Sequence, residues 1–117
     1  MASLSVHPDR LEIHLTRTER TFAVRRESIV VKRENIRSVT IAEDPWIWLR
    51  GIRSPGSFIP LVLAAGTWKF YGGKDFVSIK RQRQAVVIDL VDEEFSRLIL
   101  TSQHAPDLIA SLKLPAA

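Results

Sequence analysis

The stretch Thr67-Trp68-Lys69-Phe70-Tyr71-Gly72-Gly73-Lys74-Asp75-Phe76-Val77-Ser78-Ile79-Lys80 decides the fold class of this chain. Residues 67–71 alternate apolar and polar, and residues 76–80 alternate again beyond the glycine pair. Side chains on a strand point to opposite faces with a period of two. Each run therefore reads as a half-buried strand, and Gly72-Gly73 as the turn of a β-hairpin. Gly72-Gly73-Lys74 also invites a phosphate-loop reading. It lacks the Gly-x-x-x-x-Gly-Lys-Ser/Thr frame, and the residues after it form a strand pattern rather than a helix.

Working outward, the period of two persists. Leu11-Glu12-Ile13-His14-Leu15-Thr16 alternates over six residues, Ser28 to Lys32 holds three β-branched residues in a row, and Ile36 to Ala42 alternates again. Leu61-Val62-Leu63 follows Pro60 as a further short strand. Ala85 to Val91 is apolar except for Asp89, the signature of a central strand buried on both faces. Arg81-Gln82-Arg83-Gln84 and Asp92-Glu93-Glu94 read as turns, and Arg97 to Thr101 as the last strand. Residues 67–101 thus form an antiparallel meander. The Thr18 to Glu27 region fits either a strand or a helical turn.

One helix is expected, over residues 106–114. Pro106 suits a first helical position, Asp107 meets the positive end of the helix dipole, Leu108, Ile109 and Leu112 make one apolar stripe, and Pro115 ends it. The fold expected is mainly β: an antiparallel barrel or two-sheet roll of about seven strands, with the helix plugging an open end.

The 117 residues fit one domain, 1–117 with a core of about 10–114, and 45% hydrophobic with 26% charged residues is ordinary globular composition. The absence of cysteine excludes a disulfide framework, a thiolate zinc site and a cysteine nucleophile. The start of the chain lacks the basic and apolar regions of a targeting segment. The longest charge-free run, Ser54 to Trp68, is too short to span a bilayer. A cytoplasmic protein is expected, either free or peripheral to the inner face of the membrane. Residues 46–83 carry seven basic residues and one acidic, a net +6 out of a chain total of +4. Such a segment attracts anions or acidic surfaces, unless its charges pair across strands.

No catalytic set can be assembled. His7, His14 and His104 stand in no metal-ligand spacing with one another or with a carboxylate, and His14 should face solvent between core-facing Ile13 and Leu15. No serine elbow is present. Asp92-Glu93-Glu94 lies in a turn where water reaches all three carboxylates, so none is set up as a buried acid. The expectation is a non-enzymatic protein with no metal and no cofactor. Trp68, Lys69, Phe70, Lys80, Arg81 and Arg83 have the composition of a single-strand nucleic-acid platform. The alternation separates Trp68 and Phe70 from Lys69, which fits a core face and a solvated face better, so nucleic acid is not an expected partner.

The most unusual stretch runs from Pro45 to Pro60. Trp46, Ile47, Trp48, Leu49, Arg50, Arg53 and Phe58 are interleaved with three prolines and two glycines, which reads as a loop of some 15 residues. Three roles are open to it. Its tryptophans can complete a small core. They can form a protein interface, since Trp and Arg dominate such contacts. Or Trp46 and Trp48 can sit at lipid headgroup level with Arg50 and Arg53 on phosphates. Candidate binding residues are Trp46, Trp48, Arg50, Arg53, Phe58, Lys74, Arg81 and Arg83. The function expected is protein–protein recognition through the 45–60 segment and strand edges, with self-association among the outcomes; the alternative is peripheral binding of anionic phospholipid or a phosphorylated ligand. A small enzyme with a dispersed site is the remote third class.

Pro45-Trp46-Ile47-Trp48-Leu49-Arg50-Gly51, Arg53-Ser54-Pro55-Gly56, Ile59-Pro60, Gly66-Thr67 and Gly73-Lys74-Asp75-Phe76 resemble runs in small bacterial pleckstrin-homology-like (PH-like) domain proteins of unknown function. The resemblance spans residues 29–112 and implies a PH-like fold but no catalytic residues. Lipid-binding PH domains carry a basic loop between their first two strands. Arg17, Arg20, Arg25 and Arg26 lie near that place, but Glu19 and Glu27 interrupt them, so that lipid site is not carried over.

Overall fold

The computed structural model describes residues 3–15, 17, 29–59, 62–81 and 84–101. Among them are nine strands: β1 (Ser3–Val6), β2 (Arg10–His14), β3 (Ile29–Lys32), β4 (Ile36–Ala42), β5 (Ile52–Ile59), β6 (Leu63–Phe70), β7 (Gly73–Lys80), β8 (Ala85–Leu90) and β9 (Arg97–Thr101). They form two sheets, one of order β1-β2-β3 and one of order β4-β8-β9-β7-β6-β5. The mainly β expectation holds, in its two-sheet form rather than as a closed barrel. The helix expected at 106–114, its role as a plug, and the Thr18 to Glu27 region lie outside the described residues. Within them the helical elements are two short 3-10 turns, Arg33–Asn35 and Pro45–Trp48, besides the helical residue Arg17.

The small sheet is built from two antiparallel pairs, with Val6 opposite Leu11 and Leu11 opposite Val31. Its alternation is the one read from sequence: Leu11 and Ile13 are fully buried, and His14 faces outward. On the outer face Glu12 accepts a 2.7 Å hydrogen bond from Arg10 Nε, with the Nε2 atoms of His7 and His14 3.6 and 3.3 Å from its carboxylate. The Arg10 hydrogen bond holds the Glu12 carboxyl below the usual carboxylate range.

In the large sheet the β6–β7 hairpin matches the reading of the opening stretch, with Phe70 opposite Gly73. The turn is carried by Tyr71-Gly72, where Gly72 takes φ +100° and has open space around it. Gly73 is already in the strand, where a Cβ would meet Ser96 Oγ at 2.5 Å. The two short strands expected at 61–63 and 67–71 are one strand, β6, which runs through Gly66.

The meander expected over 67–101 is corrected. Strand β9 is inserted between β7 and β8, antiparallel to β8 but parallel to β7. Strand β8 is thereby free to pair with β4 on its other side, which joins the first and second halves of the chain. All the apolar residues of Ala85 to Leu90 are buried, so β8 is the central strand its composition indicates.

Both faces of the large sheet carry apolar residues. On one face Val39, Phe76, Val86, Ile88, Leu98 and Leu100 pack against Leu11, Ile13, Ile29 and Val31 of the small sheet. The other face presents Ala64, Trp68, Val77, Ile79, Val87 and Ile99, with Trp46, Trp48 and Leu49 laid against it.

This second core overturns the 15-residue loop expected at 45–60. Pro45–Trp48 is a 3-10 turn whose N-cap, Asp44, accepts a hydrogen bond from the Trp46 backbone N–H, and Ile52–Ile59 is the edge strand β5. The breakers that suggested a loop are absorbed by position. Pro45 starts the turn, where its missing N–H costs nothing. Ser54 and Pro55 fall in a register shift between Arg53 and Gly56, on the outermost strand, where a proline leaves no ladder bond unmade.

Candidate functional site

The residues singled out from sequence separate into a structural clasp and an exposed patch. The clasp follows from register. Ser38 lies opposite Asp89, Asp89 opposite Arg97, Arg97 opposite Asp75, Asp75 opposite Trp68 and Trp68 opposite Arg53. One row therefore crosses all six strands, on the face that the 45–49 turn covers.

Charges alternate along this row and satisfy one another. Asp89 accepts from Arg97 Nε at 2.6 Å and from Ser38 Oγ at 3.2 Å. Asp75 is 1% exposed, and Arg50 meets it with two hydrogen bonds, Nε at 2.6 Å and Nη2 at 3.0 Å. The bond to Asp75 raises the Arg50 pKa, so the guanidinium is firmly cationic. Its planar fork suits a carboxylate held this way. Arg50 also stacks 3.9 Å over the Phe70 ring, and Arg97 lies 5.1 Å over the Trp48 ring. Trp46 donates from Nε1 to the Arg81 carbonyl at 2.9 Å.

Thus Trp46, Trp48 and Arg50 fasten the turn onto the sheet, and the first of the three roles open to the segment describes them. Lys74 is also engaged, 3.4 Å from Glu94 and 5.4 Å over the Phe95 ring. Glu93, expected to be merely solvated, accepts from the Lys32 backbone N–H and from Asn35 Nδ2. Arg53 is exposed near the start of β5, at the edge of this row, and Arg83 lies outside the described residues.

The exposed patch lies at the opposite end of β5. Phe58 sits edge-on between Trp46 and Trp68, 6.2 Å from each ring, yet stays 40% exposed. Beyond it are Ile59, 51% exposed, and Val62, 47% exposed, joined by the Val62 N–H to Ile59 carbonyl bond of the β5–β6 turn. The Arg81 N–H bonds the Val62 carbonyl, and the Arg81 carbonyl receives Trp46 Nε1, so Ile47 on the adjacent turn, 76% exposed, belongs to the same end. Ile47, Phe58 and Val62 therefore gather around one backbone junction, while Ile59, opposite Leu63 in the register, lies on the other face of the sheet.

The rim of this patch carries both signs of charge. Arg81 is exposed, with its backbone at φ +54°. Glu43 and Asp44 are exposed where β4 ends; Glu43 accepts from Gln84 Nε2 at 2.8 Å, and Asp44 caps the turn. Neither carboxylate forms an ion pair with Arg81 among the described residues.

Ile59 and Val62 are not among the candidates from sequence. Their signal is present there only as aliphatic residues on either side of Pro60. No helix among the described residues is long and apolar enough to cross a membrane. Comparison with family models, with curated proteins and with solved structures found no match.

Proposed function

We propose that this chain is a non-enzymatic binding module that recognises protein through the patch of Ile47, Phe58 and Val62 beside Arg81. The observation that carries this reading is the gathering of three exposed apolar side chains at one end of a well-packed sheet. Scattered single apolar residues are normal on a surface, whereas contiguous ones rimmed by charge mark contact sites. The mixed rim favours protein over an anionic bilayer, since Glu43 and Asp44 are repelled by the surface that attracts Arg81. Arg50, which the lipid reading needs on phosphates, is committed to Asp75. A side-chain patch is also favoured over pairing along the β5 edge, because the register shift at Ser54-Pro55 interrupts that edge and proline offers no N–H to a partner strand. The non-enzymatic reading is supported by Asp75 and Asp89, each held by an arginine in a structural row. The PH-like resemblance belongs to this proposal as well: two packed sheets support it, and the parallel β7–β9 pair departs from an all-antiparallel barrel.

Ile47→Asp/Val62→Asp is the test. Both side chains are exposed, so the melting temperature should stay within a few degrees, as surface substitutions change stability by about 0.5 kcal/mol or less. Partners retained by the wild-type protein as immobilised bait, identified by mass spectrometry, should be lost with the variant. Retention of the same partners by the variant sinks the reading. Binding of the wild-type protein to anionic but not neutral vesicles, lost in the variant, would replace it with the lipid alternative.

A further inference from the structure

We infer that the occupant of this patch is a second copy of the same chain, docked about a two-fold axis through the Ile47–Val62 region; this rests on the protein-recognition reading above. Charge carries the inference. The rim holds the cation of Arg81 and the carboxylates of Glu43 and Asp44, all exposed and none paired with another among the described residues. Arg81 has no partner for its guanidinium among those residues, and the hydrogen bonds received by Glu43 and Asp44 come from neutral groups. An acidic partner would satisfy Arg81 and be repelled by the carboxylates, and a basic partner would do the reverse. A surface that carries both signs around an apolar centre is complemented by its own copy turned through 180° when the axis passes between the cation and the carboxylates. In such an isologous contact the patch meets itself, and each opposite-charge pair occurs twice.

In that arrangement Ile47, Phe58 and Val62 of the two copies cover one another, and Arg81 of each chain faces Glu43 and Asp44 of the other. The turn that presents Ile47 is already pinned by Trp46 on the Arg81 carbonyl and by Trp48 under Arg97, so little ordering is required on docking.

Charge exchange between chains tests this by sedimentation velocity. The wild-type protein is expected to form a concentration-dependent dimer. Arg81→Glu sets an acid against Glu43 and Asp44 twice per dimer, and should weaken association by roughly tenfold or more. Glu43→Arg/Asp44→Asn sets a new cation against Arg81 while the asparagine retains a cap for the turn, and should weaken it similarly. An equimolar mixture of the two variants should recover the dimer, because every unfavourable pair becomes favourable between unlike chains. Melting curves of each variant confirm that it is folded. A wild-type protein that sediments as a monomer at the highest attainable concentration overturns the inference, as do variants that dimerise like wild type or a mixture that recovers nothing. If the wild type is monomeric but Ile47→Asp/Val62→Asp still loses a partner from the bait experiment, the self-docking inference falls and the recognition reading stands. If that variant keeps its partners as well, both fall.

Discussion

Arg50→Ala should lower the stability of this domain by about 2–3 kcal/mol, less than the ~3–5 kcal/mol for stripping one partner from a fully buried ion pair, because the Arg50 side chain is 38% exposed. The cause is what remains. Asp75 is 1% exposed, and both of the hydrogen bonds it receives from a charged group come from Arg50. Without the guanidinium its carboxylate is left unpaired in the sheet face beside Trp68 and Val77, with only partial access to water where Arg50 stood. The alanine also uncovers the Phe70 ring. Because native domains are stable by only about 5–15 kcal/mol, such a loss is a large part of the total. Asp75→Asn should cost less, since an amide tolerates burial better than an unpaired charge. Arg50→Met/Asp75→Leu should recover most of the loss, since a buried ion pair replaced by apolar groups of similar volume is often neutral or better. Urea unfolding of the three variants measures this. An Arg50→Ala midpoint equal to wild type would mean that Arg50 does not hold the turn, and would return it to the set of residues free to bind a ligand.

Gly51→Ala should have the second largest effect, and for a different reason. Gly51 joins the 3-10 turn to β5 with φ +82°, a conformation that costs an L-residue about 1–2 kcal/mol. A Cβ there would also collide with the Lys69 backbone carbonyl, and would lie 2.9 Å from Phe70 Cβ. The carbonyl belongs to β6, which is paired on both sides, and cannot retreat without moving that strand. The loss should exceed ~2 kcal/mol. Gly72→Ala provides the internal comparison: φ is +100°, but nothing lies within 4 Å of the new Cβ, so only the conformational part should be lost. The difference between the two unfolding free energies isolates the close approach of the turn to β6. Equal losses would show that the approach is not tight.

The parts of this fold legible in the sequence are those set by local periodicity. Strand β8 is readable because burial on both faces leaves a continuous apolar run, and the β6–β7 hairpin because a two-residue turn needs a glycine at the place where Gly72 stands. Strand β5 is not readable. Its middle, Ser54-Pro55-Gly56-Ser57, has no alternation, and only the edge position and the register shift make it a strand. The insertion of β9 between β7 and β8 is hidden for another reason: no local pattern encodes which non-adjacent strands meet.

The site divides along the same line. That 45–60 is unusual can be read from its tryptophans, arginines and breakers. That Arg50 turns inward cannot, because its partner lies 25 residues away on a strand whose position depends on the whole sheet. The exposed half of the site is partly legible, in Phe58 and Arg81. Ile59 and Val62 escape notice because aliphatic residues next to expected strands look like core.

The division of this segment into clasp and contact surface turns on Trp48, and thermal unfolding of Trp48→Ala tests it most directly. Trp48 is half-buried on the second core beneath Arg97, so its truncation should cost about 2 kcal/mol, somewhat less than for a fully buried aromatic, and lower the melting temperature by roughly 10 °C. An unchanged melting temperature together with lost association would place Trp48 in the contact surface and contradict the clasp.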